Sequence, residues 1–144
     1  MVYPAKGSDF MFLKTLEIAG SGLTAQRLKM DVAANNLANA YSSVKDGNGQ
    51  IFKRQIVELQ ESTGKNGSFL GVKVAGIASD NSPPRMVYDP GNPEANADGY
   101  VEYPNVNPIK EMVSLINASR SYEADLNAVS ATKSMIGQTL DQLK

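Results

Sequence analysis

The residues of this chain that could do acid–base chemistry are carboxylates in close pairs. Glu58 and Glu61 are near neighbours, and Asp89 and Glu94 flank a proline-rich turn. Two carboxylates facing one bond can serve as general acid and general base. Lys133 with nearby serines is the other reactive combination. Each has an ordinary explanation: Glu58 and Glu61 sit on or beside an edge strand, where solvation is their normal state, and a long helix offers many lysine–serine neighbours. The chain has no His and no Cys. Thiolate nucleophiles, disulfides and the usual transition-metal ligands are thereby removed together. With no phosphate-cradling glycine loop either, these residues point away from an enzyme: no catalytic residue, no metal, no cofactor and no small-molecule substrate.

Charge excludes two further classes. The 14 basic residues are balanced by 15 acidic ones. A nucleic-acid binder needs cations in excess to displace phosphate counterions, so no nucleic acid is expected. The same balance argues against a polybasic membrane anchor. Met1–Lys14 lacks the basic start, apolar run and cleavage site of a signal peptide, and no transmembrane stretch follows. A chain with this start that leaves the cytoplasm must use a route without a cleaved signal.

What could position anything on this chain is helical at both ends. From Phe12 to Ala40 no proline interrupts, and Leu16, Leu23, Met30 and Leu37 recur every seventh residue. Phe12, Ala19, Gln26, Ala33 and Ala40 form the companion series of a heptad seam. Gly20 and Gly22 weaken it by about 1 kcal/mol each relative to Ala. In the C-terminal part Leu115, Tyr122, Val129, Ile136 and Leu143 form one series, with Met112, Ser119, Leu126, Lys133 and Leu140 as the second. Asn107 before Pro108 is a strong helix start. Helices over 12–40 and 108–144 would be roughly 43 and 55 Å long. Residues 1–11 are expected to be a flexible segment and a possible export signal.

Between them, residues 41–107 change period. Ile51–Gln60 and Val72–Ala78 are rich in β-branched residues, and Arg85–Tyr88 and Tyr100–Tyr103 flank a loop dense in Asp, Asn, Pro and Gly. The expected class is α+β: long terminal helices forming a coiled-coil layer, with a small, mostly antiparallel β subdomain of three to five strands. Ser42–Gln50 and Ser62–Gly67 are expected to be mobile loops.

The helical ends look unfinished. Burying Phe12, Leu16, Leu23, Met30 and Leu37 is worth on the order of 8–15 kcal/mol in all. Ordering the backbone costs about 1–2 kcal/mol per residue before helical hydrogen bonds are counted. Between Ser21 and Ala40 the only charges are Arg27, Lys29 and Asp31, whereas a solvated coiled coil carries Glu and Lys at its flanks. Either several faces are covered by neighbours, or a plain intramolecular helical hairpin has a bland surface.

Two stretches carry a resemblance. Leu23–Ala40, above all Asn36-Leu37-Ala38-Asn39 preceded by Asn35, is similar to the N-terminal signature of the flagellar rod and hook axial proteins. Asparagine is a poor helix former. Amide bonds to neighbouring subunits would explain the cluster, and so would simple helix termination. Tyr88–Val106, including Gly99, Tyr100, Val101, Pro104, Asn105 and Val106, resembles the middle region of the short proximal-rod branch of that family. Glu111-Met112-Val113 and the run containing Arg120, Ser121 and Tyr122 resemble its C-terminal helix. Asp125 departs from the asparagine common there.

The resemblance implies a structural subunit, exported unfolded by the flagellar type III apparatus without cleavage. Its ends would be loosely held when free and would fold into the coiled-coil layer of a rod spanning the periplasm. Partners would be other copies, the remaining proximal-rod proteins and the distal rod, transmitting torque for motility. Leu16, Leu23, Met30 and Leu37 would form the N-terminal assembly seam. Met112, Leu115, Tyr122, Leu126, Val129, Ile136 and Leu140 would form the C-terminal one. A soluble coiled-coil adaptor or an injectisome component shares the helical physics but has no need of the Asp89–Val106 segment.

Overall fold

A computed structural model describes residues 7–64 and 67–142. Helix α1 spans Gly7–Asn39, followed by strands β1 (Gln55–Thr63), β2 (Phe69–Ser79), β3 (Arg85–Tyr88) and β4 (Tyr100–Tyr103), and helix α2 spans Pro108–Asp141. The α+β class holds. Helix α1 starts ahead of Phe12, so Gly7–Met11 are helical. The rest of the segment expected to be flexible, Met1–Lys6, lies outside the described residues, as do Lys65, Asn66 and Leu143.

The strands form two separate two-stranded sheets, β1 with β2 and β3 with β4. The second is antiparallel, with Arg85 opposite Tyr103 and Tyr88 opposite Tyr100. Its Tyr88 and Tyr100 rings meet edge-on at 5.3 Å. The start of β1 falls later than the apolar run suggests. Ile51–Arg54 stay irregular, and the Arg54 carbonyl instead accepts the Asp80 N–H at 2.7 Å.

The chain divides into two compact units. One contains the described residues of Met1–Leu28, Leu59–Ala75 and Ala118–Lys144, and the other contains Lys29–Glu58 and Gly76–Asn117. Each therefore mixes helix and strand. In the first, Ser21 Oγ donates to the Ile18 carbonyl at 2.7 Å and accepts the Val72 N–H at 3.1 Å. That contact needs Gly71, whose φ is +112° and where any Cβ would run into Ser21. A lone hydroxyl on α1 thus docks β2 by its backbone.

In the second unit the buried apolar residues include Val32, Ala33, Ala40, Val101 and Val106, with Pro104 beside them. As its sequence position suggests, Asn107 caps α2: its Oδ1 accepts the N–H groups of Ile109 at 3.0 Å and Lys110 at 3.2 Å. Across the described residues the fully buried apolar side chains are small: Ala, Val and Pro104. Among the described residues no helix is long and apolar enough to cross a membrane.

Candidate assembly interface

The most enclosed polar cluster lies where α1 ends and α2 begins. Asn36 is 1% exposed and Glu111 2%. The Asn36 amide treats the first residue of β1 as a neighbouring strand would: its Oδ1 accepts the Gln55 N–H at 2.8 Å, and its Nδ2 donates to the Gln55 carbonyl at 2.9 Å. The same Nδ2 donates to Glu111 Oε2 at 3.0 Å. The other carboxylate oxygen of Glu111 accepts Arg54 Nε at 2.8 Å. Arg54 also lies 3.8 Å from the Asp80 carboxylate. One asparagine thereby joins three segments, and the buried carboxylate has both a charge partner and an amide donor.

The neighbouring amides do less. Asn35 donates to the Gln55 side chain at 3.0 Å, and Asn39 bonds back to Asn35 within the helix end. The helix-ending reading suits Asn39. Asn36 has a use that neither sequence-based explanation anticipated, a buried tie within its own chain. Arg54, Gln55 and Asp80 were not singled out from sequence, and Glu111 entered only as part of the C-terminal resemblance, with no role given. Only the long-range pairing reveals them, although an acidic residue in the first turn of a helix is itself a recognisable signal.

The other signature residues find physical reasons too. Gly99 has φ +80° and closes the β3–β4 loop under Tyr88, whose ring would lie 2.8 Å from any added Cβ. Val101 is wholly buried, and Pro104 and Val106 are buried with it. Asn105, Ala38, Arg120 and Ser121 are exposed, Tyr100 is 42% exposed, and Tyr122 is half-buried.

The helices bury one face and show another. On α2 the buried or half-buried positions are Pro108, Glu111, Leu115, Ala118, Ser119, Tyr122, Asp125, Val129, Thr132 and Ile136, so Ser119 of the expected companion series is among them. The first expected series is thus half-buried within the single chain. Its companion there is Glu111, Ala118, Asp125 and Thr132, one position ahead of the series expected from hydrophobicity. Met112, Leu126 and Leu140 point outward, at 49%, 42% and 58% exposure. Near the start of α2, Ile109, Met112, Val113 and Ile116 form an exposed stripe at helical spacing. On α1, Leu16, Leu23, Met30 and Leu37 are all half-buried, while Ala25, Val32, Ala33, Asn36 and Ala40 are buried. The fully buried positions are mostly small, while the large apolar side chains are half-buried or exposed, unlike an ordinary core.

The carboxylates considered for catalysis do not converge. Glu58, Glu61, Asp89 and Glu94 are all exposed. Among the described residues no group of three or more acidic side chains is placed to hold a metal ion. At Asp80, hydrogen bonds from the Ser82 hydroxyl and the Ser82 N–H, aided by Arg54, hold the carboxyl below the ordinary value.

Comparison with known proteins fits this picture of a structural chain. Residues 16–40 match the family described as "Flagella basal body rod protein", and residues 97–143 match "Flagellar basal body rod FlgEFG protein C-terminal". The chain is 42% identical over 142 residues to the flagellar basal-body rod protein FlgC of Bacillus subtilis, covering 88% of this chain and 95% of that protein. It is 44% identical over 128 residues to FlgC of Escherichia coli O6:H1, covering 89% and 95%. With FlgC of Buchnera aphidicola subsp. Schizaphis graminum the identity is 47% over 131 residues, again covering 89% and 95%. On residues, fold and relatives together, the chain belongs to the FlgC family of flagellar basal-body rod proteins, structural components of the bacterial flagellum.

Proposed function

We propose that this chain is a non-catalytic subunit of the proximal rod, the part of the drive shaft that carries torque across the periplasm. It reaches the rod through the flagellar type III export apparatus without signal cleavage. In the rod, Met112, Leu126 and Leu140 meet neighbouring subunits directly. Leu16, Leu23, Met30 and Leu37 on α1, and Leu115, Tyr122, Val129 and Ile136 on α2, complete their burial in the same layer. The neighbours are further copies, the other proximal-rod proteins and the distal rod.

The observation that carries this reading is the inversion of side-chain size. Among the described residues the fully buried apolar side chains are Ala, Val and Pro104, whereas Ile109, Met112, Val113, Ile116, Leu126, Met135 and Leu140 of α2 are exposed. Each large side chain left in water forgoes about 1.5–3 kcal/mol that a covering neighbour would recover. Summed along one helix, that recovery favours covering the exposed face by assembly.

The experiment is deletion of the gene in the source bacterium with complementation by this chain. Cells lacking it should make no filaments and should not swim, and the wild-type chain should restore both. Swimming deletants would remove the rod assignment and leave a soluble adaptor as the better reading.

A further inference from the structure

We propose that Asn36, Arg54 and Glu111 form a folding latch. It makes the pairing of the two helix ends conditional on the entry of β1 being in place, so that α2 presents its apolar face only after the middle of the chain has folded. The proposal rests on the rod reading above and adds a control step to it.

The argument begins with what each member would lose alone. Glu111 is buried and its carboxylate is held by Arg54 Nε and Asn36 Nδ2. Without the segment carrying Arg54 and Gln55, that carboxylate would keep a single neutral donor and no counter-charge. An uncompensated buried charge is far costlier than the satisfied pair. Asn36 would meanwhile lose both backbone bonds to Gln55, keeping only Glu111. Contact between the end of α1 and the start of α2 is therefore unfavourable until β1 supplies three of the four bonds. Buried polar networks of this kind are costly when only partly satisfied.

Sequence distance makes the condition meaningful. Asn36 lies 19 residues from Gln55 and 75 from Glu111, and Arg54 lies 57 from Glu111. No local fold can satisfy the cluster. Glu111 also sits inside the first turns of α2, next to Met112 and between the exposed Ile109 and Ile116. Fixing Glu111 fixes the rotation of that turn, and so the direction in which the stripe faces. A chain delivered unfolded would thus be barred from joining its helices before its middle is in place.

The test uses the full-length chain and amide exchange. Arg54→Met removes the counter-charge from a residue on neither helix. Exchange should rise about tenfold or more both at Ala33–Asn39 and at Lys110–Leu115, while β3 and β4 keep their protection. Adding Glu111→Gln removes the orphaned charge and should return both helix ends most of the way. A rise at one helix end only, or at neither, overturns the latch. Should Arg54→Met fail to fold, Arg54→Lys, which keeps the charge but not the Nε geometry, should give the same paired rise with smaller amplitude. In cells, Arg54→Met should cut rod incorporation and the double variant should recover it; equal incorporation of all forms overturns the control step. Failure of the wild-type chain itself to complement a deletion would instead strike the rod assignment, leaving the exchange result standing.

Discussion

The Cα of Gly22 on α1 faces the Asp125 carboxylate on α2 so closely that an added methyl group would stand 2.7 Å from Oδ2. Gly20, two residues earlier on the same helix, has nothing within 4 Å of the corresponding position. Two glycines that look alike in sequence are thus a packing requirement and an unused opening.

Gly20→Ala should therefore stabilise the chain by about 0.5–1 kcal/mol, the full helical preference for alanine. Gly22→Ala should gain clearly less, because the Asp125 side chain must rotate out of the seam. The pair Gly22→Ala/Asp125→Ala should recover the missing gain. Thermal unfolding of the four proteins measures all three statements, and an equal gain from both single variants would mean the helices do not meet at Gly22.

The docking of β2 on α1 predicts a larger loss. Gly71→Ala places a side chain at φ +112° and 3.3 Å from the Ile18 Cα, where backbone must move. The expected destabilisation is about 1–3 kcal/mol. Ser21→Ala, which only strands the Val72 N–H, should cost about 1–2 kcal/mol. Denaturant titration separates them, and a neutral Gly71→Ala would show that the Ser21–Val72 contact is dispensable.

Low pH acts through Asp80. Its carboxyl is held below the ordinary value of 3.8, first by the Ser82 hydroxyl, then by the Ser82 N–H, with Arg54 contributing. A carboxylate with a depressed folded pKa stabilises the fold fully above its unfolded value. That contribution is lost as pH falls below 3.8 through the folded value. Ser82→Ala should move the Asp80 titration back upward, as followed by carboxyl NMR shifts. An unmoved titration would assign the effect to Arg54 instead.

The outer and inner faces of α2 predict opposite phenotypes. Leu115→Asp and Ile136→Asp put charge on half-buried positions and should destabilise the isolated chain by about 2–4 kcal/mol. Met112→Asp or Leu140→Asp, on exposed positions, should leave its unfolding midpoint nearly unchanged. Comparing the melting curves of the four variants decides whether the two faces are as assigned.

Much of this was legible in the residues. The two helical ends, the Asn107 cap and the strands at Arg85–Tyr88 and Tyr100–Tyr103 follow from period and turn chemistry, and the structure has them. The inward companion series of α2 was not legible. Periodicity weighs hydrophobicity, so it selects Met112, Leu126 and Leu140 over Glu111, Ala118, Asp125 and Thr132. The chain, however, turns its small and polar side chains inward. The late start of β1 and the Asn36–Glu111 tie escaped for a related reason. Both depend on partners far apart in sequence, and no local pattern marks an amide that will pair with a backbone 19 residues on.

The first half of α1 also differs from its second half in a way the heptad series hid. Val32, Ala33, Asn36 and Ala40 are buried, while Met11 and Leu13 are 72% and 66% exposed. Between Lys29 and Ala40 one face, formed by Val32, Ala33, Asn36 and Ala40, is buried within its own unit. Amide exchange in the monomer should be slow from Val32 to Asn39 and fast from Met11 to Leu16.

The central claim is that the large outward side chains of α2 are covered by neighbouring subunits. Its most direct test is the double variant Met112→Asp/Leu126→Asp, expressed in cells lacking the native chain, with basal bodies isolated and probed for it. The account predicts a purified variant that melts like wild type yet is absent from rods, in cells without filaments. A variant that melts normally, enters rods at the wild-type level and supports swimming would contradict it.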